Sequence, residues 1–130
     1  IKYDNQHIND HYYNNGGSSP LPTSTEGWIE FDFMERKINL TSYTLRNHNC
    51  YYQKSWRILG SNDRNEWEVI DQQTNNSSLN GNFKQHRFEC ENKHKYYRYI
   101  RYIQDDSWNS DRKHNVYFTC VEFFGSISDQ

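Results

Sequence analysis

At 130 residues the chain is one domain's worth, too short for two independent cores. It is strongly polar, with a mean hydropathy of -1.22 and 33% hydrophobic residues, and no stretch approaches the roughly 18 apolar residues that a membrane-spanning helix needs. The net charge of -2 comes from interleaved signs, so there is no basic stripe of the kind that follows a nucleic-acid backbone.

Composition favours an aromatic core. Leu, Ile, Val and Phe number only 24, a level that warns of disorder when joined to high net charge, which is missing here. The 7 Phe, 11 Tyr and 4 Trp supply the apolar area instead, each able to bury about 150–250 Å². There is no alanine, against 16 Asn. Residues with A/T-rich codons dominate, so genome bias accounts for the asparagines and for the glycosylation-like triplets that begin at Asn39, Asn75 and Asn76. Cys50, Cys90 and Cys120 are an odd number at wide spacing, which fits a reducing compartment better than a disulfide framework. One bridge plus a free thiol is the alternative.

The first 27 residues are loop-rich. Asn9–Thr25 carries Gly16-Gly17 and Pro20-Leu21-Pro22, and a loop of that length is usually functional or disordered. Trp28–Phe33 then alternates, with Ile29, Phe31 and Phe33 on one face and Glu30 and Asp32 on the other, which predicts a strand. Glu35–Lys37 turns the chain. Ile38 and Leu40 keep one parity while Tyr43 and Leu45 take the opposite one, so a β-bulge is expected near Thr41-Ser42. Ser55–Leu59 is a strand closed by the turn cluster Gly60–Asp63, with Trp67–Ile70 as its hairpin partner. Gln72–Asn82 reads as a polar loop, Phe83–Cys90 as a strand and Tyr96–Ile103 as the richest β run. Val116–Phe124 is the last strand, stopped by Gly125. Nothing reads as a long amphipathic helix. About eight antiparallel strands at this spacing predict an all-β sandwich or barrel.

Trp28-Ile29-x-Phe31-Asp32-Phe33, Tyr43–Arg46, Ser55–Asp63 with Trp67, Tyr97–Arg101, Ser107-Trp108-Asn109 and Val121–Gly125 occur in an order that resembles the coagulation-factor type C, or discoidin-like, domain. The wording is closest to intracellular protist and BTB-associated members. The resemblance implies an all-β jelly-roll β-sandwich, galactose-binding-domain-like, over residues 28–126. A loop-rich segment 1–27 with a truncated or divergent first strand precedes it, and a tail 127–130 follows. The resemblance further implies a binding module, not an enzyme, with ligands held by loops at one end of the sandwich. Extracellular members carry a cysteine directly after the final glycine; here Ser126 stands there, so an intracellular, cytoplasmic setting is expected over secretion. Because Ile1 is not methionine, the chain is expected to belong to a larger protein or assembly.

Catalytic and metal signals are weak. Glu30 and Asp32 share a strand face like an acid–base pair, but the solvated face of an amphipathic strand is the better reading. No nucleophile elbow or Walker loop occurs. His7, Asp10 and His11 would share one face of a helical turn, yet nothing there predicts a helix. No cofactor is required. The resemblance suggests a structural calcium held by loop oxygens, which Asn- and Asp-rich turns offer everywhere.

Among the aromatics, Trp28, Trp56 and Trp67 are read as core, and Trp108 as a plug beneath the last loop rather than a stacking platform. Arg98 and Arg101 are expected to pair with strand carboxylates or to stack on rings. The ligand-binding candidates are Tyr12 and Tyr13 in the first loop, and His48, Tyr51, Tyr52 and Lys54 in the Asn47–Lys54 loop. Paired tyrosines flanked by Asn, His and Lys combine flat apolar faces with hydrogen-bonding edges, which suits a sugar ring or a protein hot spot. The expected function is a non-catalytic recognition module that binds a protein partner, with glycan binding and an architectural role as alternatives. Membrane docking is disfavoured because only Lys54 and Arg46 are nearby cations.

Overall fold

A computed structural model describes residues 6–7, 23–24, 27–91, 94–109 and 111–128. The strands are β1 (Gln6–His7), β2 (Thr23–Ser24), β3 (Trp28–Asp32), β4 (Lys37–Asn47), β5 (Gln53–Ser61), β6 (Glu68–Gln73), β7 (Gln85–Glu89), β8 (Tyr99–Ser107) and β9 (Val116–Ser128). A short 3-10 turn, η1 (Ser77–Leu79), lies between β6 and β7. One sheet runs β1-β9-β4-β7, with β2 also paired to β9, and the other runs β3-β8-β5-β6. All pairings are antiparallel. The result is the expected jelly-roll β-sandwich.

The inner faces of both sheets meet in the aromatic core. Phe31 and Phe33 of the first alternating run pack edge-on against Phe123, at 4.9 and 5.9 Å between centroids. Trp56 is fully buried between Phe88 and Tyr102. Its indole N–H donates to the Tyr43 hydroxyl at 2.9 Å, which donates in turn to Asp71 at 2.6 Å. This chain satisfies two polar groups that would otherwise be costly to bury.

The phase slip in β4 is a bulge. Leu40 pairs with Gly125 and Ser42 with Phe124, leaving Thr41 as the extra residue, as its sequence parity requires. The Thr41 hydroxyl donates to the Phe124 carbonyl, and its own carbonyl accepts from the Cys90 N–H. Gly125 does not stop β9, which continues to Ser128. It is a glycine because it crosses the bulge at close range: a Cβ there would lie 2.0 Å from the Asn39 carbonyl oxygen. The segment expected to be loop from Gln72 likewise begins with strand, since β6 reaches Gln73 against Trp56.

Two of the three expected core tryptophans lie elsewhere. Trp28 is 43% exposed and Trp67 is half-buried. Both flank the Arg101 guanidinium, each ring centroid 4.4 Å from it, on the outer face of the four-stranded sheet. Alternation from Phe31 already puts Trp28 on the charged parity of β3, opposite the core.

Candidate functional site

The ends of β4, β8 and η1 and the start of β9 bring three loops together, covering residues 48–52, 74–84 and 108–115. Asn47 anchors the first two. It is fully buried; its Nδ2 donates to the Leu79 carbonyl at 2.5 Å and its Oδ1 accepts from the Lys84 N–H at 2.8 Å. Its backbone N–H adds a bond to the Lys84 carbonyl. Leu79, fully buried, closes this end of the core. The third loop clamps the first through Tyr52, whose N–H donates to Asn109 while its carbonyl accepts from the Trp108 N–H and the Ser107 hydroxyl.

Trp108 is half-buried, with its indole N–H near the Asn76 carbonyl at 3.4 Å and Lys54 over its ring. It ties the three loops together, consistent with a plug. Lys54 also pairs with Asp106 at 3.7 Å and so faces the loop framework. Of the expected ligand residues, His48, Tyr51 and Tyr52 sit together at the loop end. Tyr12 and Tyr13 lie outside the described residues.

The cluster around them includes residues that pattern reading passed over. Phe83, taken as the start of a strand, is 44% exposed and packs edge-on against His48 at 5.4 Å. The Arg46 guanidinium lies 5.0 Å from the Phe83 ring centroid, and its Nη1 donates to the Thr119 hydroxyl at 3.1 Å. The Tyr52 hydroxyl donates to the Asn82 side chain, and Tyr51 packs edge-on against Tyr117 at 5.0 Å. Tyr51 and Phe83 both hold left-handed backbone, with φ of 60° and 53°. That conformation is uncommon for bulky residues and is retained where the surroundings fix it. No local signal marked Phe83, since single exposed apolar side chains are common on protein surfaces.

Several charged groups elsewhere are paired. Asp32 pairs with Arg98 at 2.8 Å, which together with the Met34 N–H holds its carboxyl below its ordinary 3.8 against the opposing cost of partial burial. Glu30 accepts from Arg101 at 2.6 Å and pairs with Arg64 at 2.7 Å. Arg98 and Arg101 thus pair with strand carboxylates as expected, while Glu30, its side chain 11% exposed, is not the solvated group the alternation suggested. His7 lies in β1, paired with Phe124, while Asp10 and His11 fall outside the described residues. Gln53 Oε1 is buried with no donor among the described residues, but it stands alone. No group of three or more His, Cys, Asp or Glu side chains converges among those residues.

The F5/8 type C domain model matches residues 3–122. The chain belongs to this family. F5/8 type C domains are binding modules, typically non-catalytic. No curated protein matches the chain by sequence. Among solved structures, a fragment of a putative chitobiase from Bacteroides thetaiotaomicron is similar at 17% identity and a TM-score of 0.59, covering 75% of this chain and 59% of that one. CBM32-3 of a family 31 glycoside hydrolase from Clostridium perfringens aligns at 12% identity and a TM-score of 0.61, covering 96% and 88%. Chitosan-binding module 1 of a chitosanase/glucanase from Paenibacillus sp. IK-5 aligns at 15% identity and a TM-score of 0.57, covering 96% and 93%. At these identities the likeness is one of fold. The F5/8 type C chain spans about three fifths of the chitobiase fragment.

Proposed function

We propose that this F5/8 type C domain is a non-catalytic module that recognises carbohydrate through its loop end. One observation carries the reading: Phe83 is exposed on left-handed backbone and framed by Arg46 and His48, with the Tyr52–Asn82 pair beside it. A sugar offers an apolar ring face and a rim of hydroxyls; an aromatic face edged by guanidinium, imidazole and amide groups complements both. The fold shared with a module named for chitosan binding supports the same direction.

A glycan panel tests it, read by heteronuclear NMR on the native domain. Binding should perturb the amides of residues 46–52 and 82–84, and Phe83→Ala should weaken it about tenfold, the equivalent of one lost aromatic contact. Full affinity in a folded Phe83→Ala variant would sink the site.

A second reading, a protein partner within an intracellular assembly, is favoured by the three free cysteines and by Trp28 and Val69 exposed on the outer face of the four-stranded sheet. The two readings separate in a pull-down from source-cell extract. Free sugar should release the bound set in the first case; only salt should do so in the second.

A further inference from the structure

Arg46 differs from six other arginines in how its charge is met. Arg57, Arg64, Arg87, Arg98, Arg101 and Arg112 each lie within 4 Å of a carboxylate. Arg46 is half-buried and, among the described residues, has no carboxylate partner: its contacts are the Phe83 ring and the Thr119 hydroxyl. Glu122, two residues along β9 from Arg46's cross-strand neighbour Cys120, shares Arg46's face of the sheet but forms no ion pair with it.

Among the described residues the three loops carry one carboxylate, Asp111. Lys84 follows Phe83 and, among the described residues, has no ion-pair partner, while Asp106 and Asp111 are met by Lys54 and Arg112. Among its described residues, a chain with a net charge of -2 therefore presents a locally positive corner where an aromatic ring is exposed. A guanidinium has five N–H donors in a planar fork, and only one contact to Thr119 is used here. The fork matches a planar carboxylate or a sulfate in two parallel bonds, and stacking on Phe83 holds it in orientation.

We propose that Arg46 makes the loop-end site selective for acidic sugars, reading a carboxylate or sulfate substituent while the ring packs on Phe83. This rests on the carbohydrate reading above. The selectivity is opposite to that of a module for chitosan, whose amino groups are cationic.

The test uses matched probes that differ in charge: oligogalacturonide against its methyl ester, galactose 6-sulfate against galactose, and chitosan oligomers as the cationic control. Native domain should bind the acidic member of a pair about tenfold or more tightly, as for one charge-assisted contact. Salt should weaken that binding and leave the neutral probe unaffected. In Arg46→Gln the ratio should fall to about one, and in Arg46→Lys it should be partly kept, since charge survives without the fork. The uronate and sulfate pairs report separately which acid is read. Equal binding of acidic and neutral probes by native domain would overturn the inference and leave the carbohydrate reading standing. A preference that persists in Arg46→Gln would overturn the assignment to Arg46. Failure of every sugar to bind would overturn both readings. Should Arg46→Gln not fold, the salt series on native domain decides.

Discussion

Replacing Asn47 with alanine removes the side chain that fastens two site loops to the end of β4. Two groups lose their partners: the buried Leu79 carbonyl at 2.5 Å and the partly buried Lys84 N–H at 2.8 Å. An orphaned buried group costs about 1–3 kcal/mol, and the partly wetted N–H belongs at the low end, so the expected total is about 2–4 kcal/mol. Asn47→Asp should cost more, because it keeps the acceptor for Lys84 but turns a carboxylate oxygen toward the Leu79 carbonyl in a fully buried position. Urea unfolding followed by tryptophan fluorescence measures both. With a slope of about 2 kcal/mol per molar urea, Asn47→Ala should lower the midpoint by about 1–2 M. A midpoint within about 0.3 M of the native value at unchanged slope would refute the claim that Asn47 holds these loops.

Gly125→Ala should destabilise the domain by several degrees in thermal midpoint or prevent folding, because the clash at 2.0 Å is with backbone and not with a side chain that can move; a midpoint shift under about 2 °C would show that the bulge yields. The Asp32 carboxyl sits below its ordinary 3.8, so the stability from its pairing with Arg98 is complete above 3.8 and is lost as pH falls through the lower folded value. Asp32→Asn should therefore lose less stability than native domain between neutral pH and about pH 3 in urea titrations; parallel losses would contradict this. Burial pushes all three thiols above their ordinary 9.0, Cys90 furthest, with Asp71 and Glu89 adding to the effect. In native domain Cys90 should react with maleimide most slowly, as read by mass spectrometry of the labelled peptides. Labelling of Cys90 as fast as Cys50 would contradict that burial.

The same arrangement that stabilises the four-stranded sheet separates it from the proposed site. Arg101 lies between Trp28 and Trp67 and bonds Glu30, while Arg64 reaches back from the β5–β6 turn to the same carboxylate. Cation–ring contacts and a shared carboxylate tie the charges of that outer face to one another. At the loop end, by contrast, the Arg46 charge is met, among the described residues, by a ring and a hydroxyl. The distinction between a stabilising arginine and a recognition arginine is which partners the fold leaves it.

Much of the architecture was legible in one dimension. Period-two alternation in Trp28–Phe33 and the slip between Leu40 and Tyr43 state which side chains face inward, and the bulge at Thr41 follows from counting. Alternation says nothing of what lies across a face. Trp28 and Trp67 were read as core from their place in strands and in the family pattern, whereas they flank Arg101 on the outer face, where the parity of Phe31 already puts Trp28. Gly125 looked like a stop because its neighbour across the sheet, Asn39, is 86 residues away in sequence and invisible locally. The site divides in the same way. His48, Tyr51 and Tyr52 announced themselves as a polar–aromatic loop, whereas Phe83, Asn82 and Tyr117 joined them only through pairing of β4 with β7 and β9. Local pattern determines faces because it acts through the backbone's own period. Which loops meet, and which charges stay unpaired, depends on strand register over long separations, and only the folded chain settles that.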